Sequence, residues 1–157
     1  MSTSGLDQLS REHGEAGRRI RAMLAAAGRL RREPDAGALT ATGEALAYFE
    51  RDFVEHMARE DRGMLPTLDA VFGEWCALPA WMRREHVEIR AKLRDVRKAF
   101  DRAGGVEADR LEPLVSEVER LAALLTIHFH REDAWLYPIA RQVLSAEQWA
   151  VIEKAAA

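Results

Sequence analysis

The chain has 157 residues, of which 48% are apolar and 31% are charged, and its formal net charge at pH 7 is −3. This length predicts one domain with a buried core, and the slightly acidic balance gives no electrostatic reason to expect nucleic-acid binding. The single cysteine, Cys76, allows no internal disulfide, the N-terminus has no apolar signal region, and no stretch approaches the ~20 apolar residues of a membrane span. These features predict a cytoplasmic protein without a membrane partner.

Apolar residues recur every three or four positions, which is the spacing of one face of an α-helix, and no segment alternates convincingly like a strand. Four such stripes predict four long helices. The first two stripes are Leu6, Leu9, His13, Ala16, Ile20, Leu24 and Ala27, and then Leu46, Phe49, Phe53, His56, Glu60, Met64 and Leu68. The other two are Met82, His86, Ile89, Leu93, Val96 and Phe100, and then Leu114, Val118, Leu121, Leu125, His128, Glu132, Trp135, Ile139 and Val143.

Helix-breaking residues separate these stripes. The segments 33–37 and 73–79 and the pair Gly104-Gly105 predict three boundaries, with Pro79 placed to open a helix. Ser145, followed by Gln148, has the spacing of a capping box and predicts a short fifth helix. The predicted fold is therefore all-α, an antiparallel up-down-up-down four-helix bundle with a short C-terminal fifth helix. We expect a single domain over residues 1–157, with two pseudo-repeats at about 6–72 and 79–143 and the short helix at 145–156.

One pattern of potential metal ligands occurs twice. The sequence REHGE at residues 11–15 recurs 73 positions later as REHVE, and HMAREDRGMLP at residues 56–66 recurs 72 positions later as HFHREDAWLYP. Each copy thus supplies one histidine and then a His-x-x-x-Glu pair. Pro66 and Pro138 end the equivalent stretches, and each marks either a kink or restart of its helix or a plain helix boundary. The duplicated register indicates a site between two pseudo-symmetric halves.

Six residues of this pattern are candidate metal ligands because all of them lie on the apolar stripes. They are His13, His56, Glu60, His86, His128 and Glu132. A buried glutamate without a partner is very costly, and a glutamate four residues after a histidine points to the same side of its helix. Carboxylate with imidazole suits iron or manganese, with zinc possible, and the sequence offers no thiolate cluster for copper(I) or iron–sulfur chemistry.

Several neighbours of these six are candidates for supporting roles. The acidic residues Glu12, Asp61, Glu85 and Asp133 recur in both copies and either orient the ligands by hydrogen bonds or form surface and interhelical ion pairs. Phe49, Phe53, Phe100, Leu125 and Trp135 are expected to pack in the core and to line the site. Tyr48 and Tyr137 are candidate redox or hydrogen-bonding neighbours, and His130, which has no counterpart in the first copy, is expected at the surface or behind the ligands.

With these residues, the chain resembles the hemerythrin-like (HHE cation-binding) family from about Leu6 to Val143. The resemblance implies a four-helix bundle around a non-haem diiron centre, in which the six candidates are ligands and Glu60 and Glu132 bridge two irons. Oxygen-carrying hemerythrins have a second histidine one turn after the one on the third helix, where this chain has Arg90. Two histidines per iron, two bridging glutamates and an oxo or hydroxo bridge then leave one open position on each iron, and manganese or zinc are possible substitutes.

Three functions follow from this reading. The first is binding or sensing of O2, NO or peroxide, and the second is an enzyme that consumes peroxide, NO or O2 in a catalase-like or oxidase reaction. The third is iron storage, or iron donation for iron–sulfur cluster repair, because the ligand set is similar to that of diiron proteins linked to such repair. An electron donor is a possible partner. Trp75, Trp81, Trp149 and Ile152 are expected to cover the bundle end rather than form a dimer surface, which predicts a monomer or a weak homodimer.

Overall fold

The structure is a computed structural model, and it describes residues 4–73, 76–104 and 108–156. These residues contain no strand. The helices are α1 (Ser4–Arg32), α2 (Ala36–Tyr48), α3 (Val54–Arg59), α4 (Leu65–Phe72), α5 (Leu78–Ala103), α6 (Ala108–Arg131), α7 (Tyr137–Val143) and α8 (Ala146–Ala156). Three π-helical segments, π1 (Phe49–Phe53), π2 (Glu60–Met64) and π3 (Glu132–Leu136), interrupt the α-helical hydrogen bonding.

These elements join into four bundle helices. The first is α1, the second runs without a break over residues 36–72, the third is α5, and the fourth runs over residues 108–143. The short α8 follows as a fifth helix. The all-α four-helix bundle with a short fifth helix is therefore confirmed. No helix in the described part of the chain is long and apolar enough to cross a membrane.

Interhelical ion pairs fix the antiparallel order of neighbouring helices. Arg31 at the end of α1 binds Glu112 and Glu119 near the start of the fourth bundle helix. Asp69 and Glu50 of the second bundle helix bind Arg83 and Arg97 of α5, so the two helices run in opposite directions.

The helix ends follow the signals in the sequence. Asp35 caps α2 by accepting a hydrogen bond from the backbone N–H of Ala38 at 2.8 Å. Gly104 ends α5 with a φ of 49°, a left-handed conformation that favours glycine. Ser145 and Gln148 exchange the two hydrogen bonds of a capping box, at 2.8 and 3.3 Å, which confirms that prediction.

Two apolar clusters fill the bundle, one on each side of a polar layer. The larger contains residues such as Ile20, Phe49 and Val96. The smaller, which we call the end cluster, comprises Leu6, Leu9, Met64, Leu65, Leu68, Met82, Leu136, Tyr137, Ala140, Leu144, Trp149 and Ile152. Because Trp149 and Ile152 of α8 are buried in the end cluster, the fifth helix covers that end of the bundle, as the sequence predicts. Trp81 is instead 41% exposed, and Trp75 lies outside the described residues.

Three members of the predicted stripes face solvent instead of the core. Trp135 and Val143 are 46% and 37% exposed, whereas Leu136, Tyr137 and Ala140 are buried. The physical reason is π3, because its extra residue shifts the register of every position after Glu132. Leu24 is also exposed, since Met23 takes the buried place one turn after Ile20.

The two prolines mark the point where α-helical bonding resumes. Pro66 and Pro138 lie in the first turns of α4 and α7, directly after π2 and π3. Proline has no N–H to donate to the carbonyl one turn earlier, so an interrupted ladder accommodates it. The backbone nevertheless stays right-handed helical at Leu65 and Tyr137, so each bundle helix restarts at this point and continues.

Candidate metal centre

The structure brings all six predicted ligand residues together in the polar layer between the two clusters. Their exposed fractions are 5% for His13, 1% for His56 and Glu60, and 0% for His86, His128 and Glu132. Each glutamate stands at the first position of a π segment, four residues after its histidine. We call these six the inner residues.

Their donor atoms form two overlapping groups, each with all atoms within 4.8 Å of one another. One group is Glu60, His86, His128 and Glu132, and the other is His13, His56 and Glu132. Glu132 joins the groups because its Oε1 lies 3.3 Å from Nε2 of His128 while its Oε2 lies 3.0 Å from Nε2 of His13. The two groups therefore give two adjacent positions for a cation.

Several buried atoms of the inner residues make no hydrogen bond. They are Oε2 of Glu60, Nε2 of His86, Nε2 of His128 and both carboxylate oxygens of Glu132. Buried polar atoms in proteins are almost always hydrogen-bonded, and a bare buried carboxylate is more costly still. Cations at the two positions would satisfy all of these atoms at once, so the residues fit a metal pair.

A second layer of acidic residues, the outer carboxylates, holds the far side of each imidazole. Nδ1 of each inner histidine lies within hydrogen-bond distance of one of them: His13 to Asp133 at 2.9 Å, His56 to Glu12 at 2.7 Å, His86 to Asp61 at 2.7 Å and His128 to Glu85 at 3.1 Å. A ring that keeps its proton on Nδ1 for the carboxylate presents an unprotonated Nε2 to a metal. Both roles proposed for these acids are realised, since three of them also bind arginines.

Those arginines form a third layer. Arg59 binds Glu12 at 2.6 Å, Arg90 binds Asp61 at 2.8 Å, and Arg131 binds Glu85. Arg90, which stands where oxygen-carrying hemerythrins have a histidine, thus supports an outer carboxylate. Asp133 has no arginine partner among the described residues, and its side chain is 52% exposed.

The charges of the layers shift the pKa values in the metal-free protein. Burial raises the pKa of Glu12, but hydrogen bonds from His56 and Arg59 outweigh it and bring the value to about 2. Burial likewise lowers the pKa of His13 and His86, but their carboxylate partners raise these values to about 10 and about 11. A metal must therefore displace protons from both rings.

Tyr137 is the closest neutral partner of the inner residues. Its hydroxyl donates to Oε1 of Glu60 at 2.7 Å and lies 3.1 Å from Nε2 of His13. Burial and the nearby carboxylates raise the pKa of Tyr137 well above its ordinary value, so the phenol keeps its proton. The hydrogen-bonding role considered for Tyr137 is confirmed.

Aromatic rings shield the centre. Phe129 and Tyr137 stack on His13 at centroid distances of 4.7 and 5.1 Å, and Phe53 stacks on His56 at 5.1 Å. Sequence reasoning missed Phe129, although its place directly after His128 was a signal, because a helix face is wide enough to bury two adjacent residues.

Other predicted neighbours lie elsewhere. Trp135 is exposed and packs against Trp81 rather than lining the site. Tyr48 is half-buried under the guanidinium of Arg19, and His130 is exposed. Phe100 packs beside Gly43, and Leu125 lies in the larger cluster. Phe49 contacts Phe53, which in turn stacks on His56.

An antiparallel helical bundle with buried histidines and carboxylates facing one another defines a class of helical metal-binding proteins. The sequence profile of the hemerythrin HHE cation binding domain matches residues 1–68 and 77–155, and the chain belongs to that family. It is accordingly a metal-binding protein of a family whose metal is iron. No curated protein sequence matches the chain significantly.

Proposed function

We propose that this chain holds two iron ions between the six inner residues and uses them to bind or sense O2, NO or peroxide. The observation that carries the proposal is the convergence of buried, unbonded carboxylate and imidazole atoms on two adjacent positions. Family membership supports iron, and the ligand types also allow manganese or zinc as substitutes.

Geometry supports one histidine pair for each ion. His86 and His128 face one position, and His13 and His56 face the other. Oε2 of Glu60 lies 3.4 Å from Nε2 of His86 and 3.6 Å from Nε2 of His56, so Glu60 is placed between the pairs as Glu132 is. Both glutamates would therefore be within reach of both ions, which supports the expectation that they are shared ligands.

A bound iron pair would supply up to two electrons to one small ligand. The residues of the chain do the rest. The outer carboxylates orient the imidazoles through hydrogen bonds to Nδ1. The protonated hydroxyl of Tyr137 donates a hydrogen bond to Glu60. Phe53 and Phe129 exclude water from the histidines beside them.

Enzymatic consumption of peroxide is the second candidate, and Tyr137 is the observation that favours it. Reduction of hydrogen peroxide to two water molecules takes up two electrons and two protons, and a buried hydroxyl beside the ligands is suited to relay a proton. Iron storage or donation receives less support, because all six inner residues are buried and exchange of the metal would require the bundle to open.

The test is anaerobic loading with ferrous iron, a count of iron per chain, and stopped-flow absorbance after mixing with one equivalent of O2. Two irons and a band that disappears when O2 is removed support binding or sensing, whereas irreversible oxidation followed by turnover with peroxide supports the enzyme. His128→Ala is expected to lose iron, while the exposed His130→Ala serves as the matched control. An iron-free chain would contradict the proposal.

A further inference from the structure

The two halves of the molecule differ where an outer aspartate meets an inner histidine. Asp61 binds His86 between the second and third bundle helices, and Asp133 binds His13 between the fourth and the first. The pseudo-repeat relates these two interfaces, so each residue around Asp61 has a counterpart around Asp133. The two interfaces differ in how far side chains separate the centre from solvent.

Side chains close the Asp61 interface. Arg90 donates to Asp61 at 2.8 Å, and about two helical turns away Arg83 donates to Asp69 at 2.5 Å between the same two bundle helices. Leu65, four residues after Asp61, is fully buried in the end cluster. The Asp61 side chain keeps 27% of its surface exposed.

The Asp133 interface keeps none of these side chains. The counterparts of Arg90, Arg83, Asp69 and Leu65 are Gly17, Ser10, Arg141 and Tyr137. Arg141 binds Asp7 of α1 at 3.3 Å, so this side has an ion pair of its own, but none that holds Asp133. Gly17 has no side chain to pair with Asp133, and the serine is too short to replace an arginine. A surface cavity of about 330 Å³ results, lined by Ser10, Asp133, Tyr137, Pro138 and Arg141.

This cavity reaches the metal centre through a single layer of side chains. Tyr137 lines the cavity and also donates to Glu60, and Asp133 lines it and also binds His13. A molecule in the cavity therefore touches two residues that contact the inner residues directly. On the Asp61 side, Arg90 binds the aspartate and Leu65 takes the position of Tyr137.

We propose that this cavity, which we call the access cavity, is where a small polar ligand of the hydrogen peroxide class approaches the centre, and that the pseudo-equivalent Asp61 side is closed to it. The proposal rests on the proposed function and adds to it the route and the ligand class. Hydrogen peroxide both donates and accepts hydrogen bonds, which matches the hydroxyl, carboxylate and guanidinium groups of the wall. O2 and NO bind such groups weakly and have no comparable need of a polar route.

Two variants rebuild the closed side on the open one. Gly17→Arg adds the arginine that Asp61 has in Arg90, and a Cβ at Gly17 meets only the end of Arg21 at 3.6 Å. Ser10→Arg with Arg141→Asp recreates the Arg83–Asp69 pair in place of the Arg141–Asp7 pair. The matched control is Gly14→Arg, an exposed position of the same helix where a Cβ meets only the end of Arg18 at 3.9 Å.

The first readout needs no metal. Carbodiimide labelling of carboxylates, followed by mass spectrometry, is applied to the metal-free protein. Asp133 is expected to react faster than Asp61, and Gly17→Arg to slow the labelling of Asp133 while Gly14→Arg does not. Equal labelling of the two aspartates in the wild-type chain would overturn the inference.

The second readout is the rate at which hydrogen peroxide oxidises the ferrous protein, beside the rate of NO binding, in variants with measured iron content. Each closing variant is expected to slow the peroxide reaction about tenfold and to leave NO binding unchanged. Peroxide could then enter only after the introduced arginine releases its carboxylate, and the loss of one charge-assisted hydrogen bond raises the barrier enough for about a tenfold slower rate. Two bound irons with equal peroxide rates in all variants would overturn this inference and leave the proposed function standing. A wild-type chain without the iron pair would overturn the proposed function itself.

Discussion

The hydroxyl of Tyr137 donates a hydrogen bond to Oε1 of Glu60 over 2.7 Å, across the interior of the bundle. This bond joins the fourth bundle helix to the second at the level of the inner residues. The counterpart of Tyr137 in the first repeat is Leu65, so the bond exists on one side of the pseudo-symmetric centre and has no equivalent on the other.

Replacing Tyr137 by phenylalanine tests this bond. In the metal-free protein, Tyr137→Phe leaves a buried carboxylate oxygen of Glu60 without its donor, which is expected to lower the free energy of unfolding by about 1–3 kcal/mol. Urea denaturation monitored by circular dichroism measures the change. Tyr48→Phe is the control, because Tyr48 is half-buried against Arg19 and away from the centre. Equal decreases in the free energy of unfolding in the two variants would show that the hydrogen bond to Glu60 does not stabilise the fold.

Glu85 is expected to control metal affinity without touching the metal. Glu85→Gln keeps the size of the side chain but removes the charge that faces Nδ1 of His128, so iron affinity should fall by about 10–100-fold. Competition with a chromogenic chelator measures the affinity. Glu88→Gln, an exposed position on the same helix, should leave it unchanged. Unchanged affinity in Glu85→Gln would mean that the outer carboxylates only pair with arginines.

Iron binding is expected to weaken as the pH falls. Because the pKa of His13 is raised to about 10 and that of His86 to about 11, both rings carry an extra proton at pH 7 in the metal-free protein. If iron displaces both protons, its apparent affinity should change about 100-fold per pH unit near neutrality, and increase as the pH rises. Calorimetry in two buffers with different ionisation enthalpies counts the released protons. Binding heats that do not depend on the buffer would contradict this prediction.

The fifth helix is expected to depend on the absence of a side chain at residue 63. A Cβ at Gly63 would meet the backbone oxygen of Ile152 at 3.2 Å, so Gly63→Val should push α8 from the bundle end and cost about 1–3 kcal/mol. A red shift of the fluorescence of Trp149, buried in the end cluster, reports the displacement. Gly14→Val on the exposed face of α1 is the control. A spectrum and stability like those of the control would show that α8 tolerates the added bulk.

The helices and the meeting of the inner residues could be predicted because both depend on helical periodicity and on a repeated register. His56 and Glu60, four residues apart, share a face in any regular helix, and the apolar stripes direct that face inward. That the six inner residues are metal ligands stays a prediction, since the structure brings them together without testing their occupancy. Up to Glu132 the predicted stripes agree with the buried core except at Leu24, where Met23 is buried instead, and at Phe129, which the stripes leave out.

Beyond Glu132 the prediction was wrong for a definite reason. Pro138 marks the restart of α-helical bonding after π3 but does not show the change of register before it, so the periodicity predicts Trp135 where Leu136 and Tyr137 are buried. The sequence also did not predict the cavity beside Asp133. A repeated pattern identifies the residues that the two halves share, whereas this cavity depends on positions at which they differ. Gly17 and Ser10 are important because they lack the arginine side chains that Arg90 and Arg83 have at the equivalent positions.

The layered arrangement of charge has an electrical consequence at the surface. Outward from the two positions, carboxylates, imidazoles, further carboxylates and arginines follow one another. Along the described interfaces of Glu12, Asp61 and Glu85 the outermost charge is therefore positive. Along the His13–Asp133 direction the sequence ends at a half-exposed carboxylate, without the arginine layer. The outermost charge is therefore a carboxylate above His13 and an arginine above each of the other three histidines, which gives the surface around the centre a lasting electrical asymmetry.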